Sequence, residues 1–93
     1  MKRIWKFPFA IESPIEIEMP KGAEILSVQS QFNEPMMWAL VDPLKEKETR
    51  RFQIFGSGHD VPDVGEFSER NYIATFQVDD GNYVFHLFEL KVS

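Results

Sequence analysis

Apolar and polar positions alternate with period two along most of the chain, and that alternation predicts strands. From Arg3 to Phe9, Trp5, Phe7 and Phe9 fall on one face while Ile4 and Lys6 fall on the other. Pro8 lacks an N–H and suits a strand end or an edge. Ile15, Ile17 and Met19 alternate with Glu16 and Glu18 before Pro20-Lys21-Gly22 breaks the run. A third strand is expected over 23–32, with Leu26 and Val28 sharing a face. Met36 to Asp42 is apolar on both faces, with Met37, Ala39 and Val41 opposite Trp38 and Leu40. A strand of that kind belongs in the middle of a sheet or under cover on both sides. Asn33-Glu34-Pro35 should join these two strands as a hairpin.

Residues 43–49 read as an exposed charged loop. Arg50 to Phe55 is the next strand, and 56–65 is the longest irregular stretch, with three glycines and one proline. Over 69–78, Tyr72, Ala74, Phe76 and Val78 share a face. Over 83–92, Tyr83, Phe85 and Leu87 face one way and Val84, His86 and Phe88 the other. Asp79-Asp80-Gly81-Asn82 between them carries the turn chemistry of a tight hairpin. No stretch has helical periodicity. The expectation is one all-β domain over 1–93: a single small sandwich or partly open barrel of about seven mostly antiparallel strands.

Composition fits that picture. At 10.9 kDa with 43% apolar and 27% charged residues, the chain can bury a single core. Nine phenylalanines help a thin fold bury area. There is no cysteine, so disulfides and thiolate metal sites are excluded. No apolar run approaches the roughly 20 residues of a helical membrane span, and the start lacks a signal-peptide pattern. A cytoplasmic location without membrane contact is therefore expected. The net charge is −5, and residues 54–93 hold seven acids against two bases. Nucleic acid is not expected as a partner, since phosphate binding needs a basic footprint. An acidic half could instead dock on a protein.

The chemistry concentrates around Arg50-Arg51 and Gly56-Ser57-Gly58-His59. The glycines let backbone N–H groups converge, Ser57 and His59 can donate, and one of Arg50 and Arg51 could clamp an anion. Neighbouring strand residues face opposite ways, so both arginines cannot serve the same face. The plainer reading is a strand end that needs glycine for its turn, with His59 bonded to backbone. His86 reads as a sheet histidine satisfied by a neighbour. Asp60, Asp63, Glu66 and Glu69 lack the spacing of a calcium loop. No catalytic signature, metal site or cofactor motif is present, so a non-enzyme is expected. The apolar second face of 36–42 points to a homo-oligomer.

Several segments together carry a resemblance. They are Ile4-Trp5-Lys6-Phe7-Pro8, Met19-Pro20-Lys21-Gly22-Ala23, Ile25-Leu26-Ser27-Val28-Gln29, Trp38 to Pro43, Gly56 to His59, Tyr72 to Gln77, and Val84 to Glu89. In these the chain resembles a family of small uncharacterised proteins of tailed bacteriophages and prophages. Ser57 stands where that family's pattern has threonine, which keeps a hydroxyl. The resemblance implies a phage accessory protein in the cytoplasm of an infected bacterium. Joined to the anion corner, it gives the expected function: a host-defence antagonist that sequesters a small anionic, nucleotide-like ligand. The alternatives are a module that docks on a host or phage protein, and a minor structural phage component.

Overall fold

Each alternating run becomes a strand in the computed structural model, which describes residues 1–62 and 69–91. The strands are β1 (Arg3–Pro8), β2 (Ile15–Pro20), β3 (Glu24–Gln31), β4 (Glu34–Val41), β5 (Lys47–Gly56), β6 (Arg70–Val78) and β7 (Tyr83–Leu90). All pairings are antiparallel. They build a three-stranded sheet, β1-β4-β3, and a four-stranded sheet, β2-β5-β7-β6. Neither sheet closes on itself, so the molecule is a small open sandwich. It measures 41 × 35 × 16 Å, and the thin dimension fits two layers about 10 Å apart. So flat a body exposes 6366 Å², more than the roughly 5,600 Å² its mass would give a rounder one.

The core lies between the inner faces. Met37, Ala39 and Val41 of β4 meet Met19, Phe52, Ile54, Phe76 and Leu87 of the other sheet. As the pattern of 36–42 implied, β4 is central, flanked by β1 and β3. Trp5, Phe7 and Phe9 turn inward and pack on this core, Phe9 meeting Phe76 edge-on at 5.7 Å. No buried side-chain nitrogen or oxygen lacks a partner among the described residues.

Two expected facings are corrected, both by bulges. The β3–β4 register shifts between Ile25 and Ser27. One extra residue there reverses the alternation, so Val28 is buried while Leu26 is 46% exposed. The β6–β7 register shifts likewise between Tyr72 and Ala74. Ala74, Phe76 and Val78 face inward, but Tyr72 turns to the outer face. The charged loop is also shorter than expected, because β5 already begins at Lys47. The 79–82 connection is a hairpin loop of four residues, with Asp79, Asp80 and Gly81 all at positive φ. It abuts the β3–β4 hairpin: the Asp79 N–H donates to Asn33 Oδ1 and the Ser30 hydroxyl to the Gln77 carbonyl. That polar seam holds β3 beside β6.

Candidate functional site

The outer face of the four-stranded sheet is built in rungs. Antiparallel register sets Phe55 of β5, His86 of β7 and Thr75 of β6 side by side. The next rung holds Gln53, Phe88 and Tyr72. Directly opposed residues share a face, so imidazole, hydroxyl and aromatic groups collect on this surface. Phe88 is fixed between two rings, meeting Phe55 at 5.7 Å and Tyr72 at 5.6 Å, both edge-on.

The chain leaving β5 folds back over this surface. The Ser57 N–H donates to the Val84 carbonyl at 3.1 Å, and the His59 N–H closes a turn on the Gly56 carbonyl at 3.0 Å. Gly58 sits at φ +85°, which a side chain would resist. Gly56 is needed for a different reason. Its α-carbon lies so close to the His59 ring that a Cβ there would come within 2.9 Å of Cε1. Arg70 fastens the segment down: Nε donates to Gln53 Oε1 at 2.8 Å and Nη2 to the Pro62 carbonyl at 2.5 Å. Its guanidinium also stands 5.6 Å from the centre of the Phe55 ring.

Between loop and sheet lies an open cleft of about 310 Å³, lined by residues 55–59, Val61, His86 and Phe88. Its polar floor is a chain of hydrogen bonds. Ser57 Oγ and His86 Nε2 are 2.8 Å apart, His86 Nδ1 and Thr75 Oγ1 2.9 Å, and Thr75 Oγ1 and the Tyr72 hydroxyl 2.7 Å. His86 is thus satisfied by neighbours, as its mid-strand position implied, and both partners are neutral hydroxyls.

The expected site is brought together only in part. Gly56, Ser57, Gly58 and His59 line one cleft; Arg50 and Arg51 do not join them. Arg50 shares the inner face of β5 with Phe52. Its Nε and Nη2 grip Glu89 at 2.6 and 2.8 Å, and its Nη1 donates to the Ala23 carbonyl at 2.5 Å. The hydrogen bonds to Glu89 hold its pKa above the ordinary arginine value; burial opposes this, and the charges of Glu89 and Glu48 add to it. Arg51 faces outward but pairs with Glu16 at 2.8 Å. Five steps of strand, roughly 17 Å, separate Arg51 from Gly56. Among the described residues no lysine or arginine lines the cleft.

His86, Thr75, Tyr72, Phe88 and Arg70 were not picked out for this site in the sequence. Their common facing depends on the Tyr72/Ala74 bulge and on β7 lying between β5 and β6. Only the shared face of His86 and Phe88 was open to a reader of the pattern. Of the acidic residues weighed for a cation, Asp63 and Glu66 lie outside the described residues. No group of three or more His, Asp or Glu side chains suited to a metal occurs among the described ones.

The fold and cleft define a small open β-sandwich with a polar-floored recess on one outer face. Over residues 1–93 the chain belongs to the family described as a domain of unknown function, DUF7352. No curated protein and no solved structure matches it.

Proposed function

We propose that this chain is a phage-encoded accessory binding protein that sequesters a small nucleotide-like ligand in the 55–61 cleft. Acting in the cytoplasm of the infected bacterium, it would withhold that ligand from a host defence. The observation carrying this reading is the coincidence of fixed aromatic rings and a hydroxyl–imidazole floor in one recess. Sites for small molecules typically combine apolar walls with a few placed polar groups. The ligand would meet polar groups at Ser57 and His59, with His86 held behind Ser57 by their 2.8 Å hydrogen bond. Arg50 and Arg51 drop out of the proposed site because each is committed to a carboxylate.

Thermal melting against a panel of nucleotides tests the reading. At least one should raise the melting temperature, and His59→Ala should reduce that rise. A panel without any shift would sink the proposal.

Self-association is the second reading, supported by the outer face of β1-β4-β3. Register places Ile4 beside Leu40 there, Ile4 is 61% exposed, and Leu26 lies 46% exposed on β3 of the same sheet. A second copy would cover this strip. Sedimentation should then give a dimer mass that Ile4→Glu converts to monomer.

A further inference from the structure

We propose that the cleft takes the uncharged ring of its ligand, a heteroaromatic such as a nucleobase, with the ring edge hydrogen-bonded to Ser57 and any phosphate left facing solvent. This deepens the ligand-binding reading above and rests on it.

Three observations carry it. The first is charge. Both arginines expected at the corner are matched to carboxylates elsewhere, and Arg70 is engaged with Gln53, Pro62 and the Phe55 ring. Among the described residues lining the cleft, a phosphate would meet hydroxyl, imidazole and backbone groups, and the nearby Arg70 guanidinium is already held over Phe55 and by Gln53 and Pro62, a poor exchange for the phosphate's hydration. The second is shape and lining. A recess of about 310 Å³ with Phe55, Val61 and Phe88 as apolar walls suits a planar ring. Phe88 is already braced by two aromatic neighbours, so little ordering is left for the ligand to impose.

The third is the hydrogen-bond chain itself. Every member, Ser57, His86, Thr75 and Tyr72, can donate or accept, so the whole chain can run in either direction. For a ligand acceptor, Tyr72 donates to Thr75 and Thr75 to His86 Nδ1. The Nε2–H then donates to Ser57, and the Ser57 O–H points at the ligand. For a ligand N–H, the order reverses: Ser57 accepts from the ligand and donates to Nε2, and the Nδ1–H donates to Thr75. The two directions differ by one tautomer of the His86 imidazole and by no net charge. Ser57 can thus meet either a donor or an acceptor on the edge of a base. A phosphate oxygen, which offers acceptors only, would call on one of the two directions.

The test is calorimetric titration of the protein with nucleosides, their 5′-monophosphates and ribose 5-phosphate. A nucleoside should bind within about threefold of its monophosphate, and ribose 5-phosphate should not bind. Ser57→Ala should weaken nucleoside binding about tenfold. Thr75→Val, which removes a hydroxyl that does not line the cleft, should weaken it about threefold with an unchanged melting temperature. In nitrogen-detected spectra of labelled histidine, His86 should change tautomer between an acceptor-edged and a donor-edged ring. If monophosphates bind while nucleosides do not and ribose 5-phosphate competes, the ligand-binding reading stands and the ring-first orientation is wrong. If nothing in the panel binds, both fall together.

Discussion

The middle of β5 and the turn that closes it solve the same problem in opposite ways. At the Arg50-Arg51 end, each charged group is matched to a carboxylate. Arg50 grips Glu89 on the inner face, with side-chain exposures of 16% and 20%, and Arg51 meets Glu16 outside, at 51% and 56%. At the Gly56–His59 end, polar groups are matched to neutral hydroxyls and backbone, and a recess is left above them. A residue's chemistry therefore says little about its role until its partner is known. Of the two cations that looked most suited to holding a ligand, Arg50 ties the sheets together through Glu89 and the Ala23 carbonyl, and Arg51 is committed to an exposed pair. The uncharged end keeps the open cleft in which a ligand is proposed to sit.

Arg50→Ala should break the first end most severely. It strands Glu89 at the edge of the core and frees the Ala23 carbonyl, at a cost of about 3 kcal/mol. For a domain of this size that is a fall of roughly 15 °C in melting temperature. Because the pKa of Arg50 is raised in the fold, the arginine's contribution is fully present below its ordinary value. It should be lost only as pH climbs through the raised one, so stability measured from pH 6 to 9 should not drift on its account.

Gly56→Ala should come next. The added Cβ meets the His59 ring, which must swing away and open the cleft. Because that ring is exposed and free to turn, no more than about 1 kcal/mol should be lost in urea unfolding, with a further loss of ligand-induced stabilisation. Gly58→Ala, strained by its positive φ alone, should cost about 1 kcal/mol and leave the His59 ring in place. Smallest of all is Arg51→Ala. An exposed pair contributes little, so the melt should move by less than about 0.5 kcal/mol. A drop for Arg51→Ala as large as that for Arg50→Ala would erase the contrast between inner and outer pairs.

Much of the fold was legible because alternation is a local property. The seven strands, the absence of helix among the described residues and the central place of 36–42 follow from residues two apart in the chain. Leu26 and Tyr72 were misplaced because a bulge inserts one residue without any mark in composition; neither site carries glycine or proline. The loop half of the candidate cleft was legible from Gly56, Gly58 and His59. The sheet half was not, because bringing His86 to Ser57 requires β7 to lie beside β5 rather than merely to follow β6. Arg50 and Arg51 misled for a related reason: Glu89 and Glu16 lie 39 and 35 positions away.

The strand order has a consequence for how the molecule comes into being. β7 follows both β5 and β6 along the chain, yet it occupies the slot between them, and those two have no direct pairing with each other. On the ribosome those two must wait, unzipped, until their shared neighbour emerges. The recess over Ser57 depends on the same insertion, since His86 and Phe88 ride on that strand. A nascent chain stalled before Tyr83 should therefore be mute toward any ligand, and the capacity to bind should arrive in one step with the keystone.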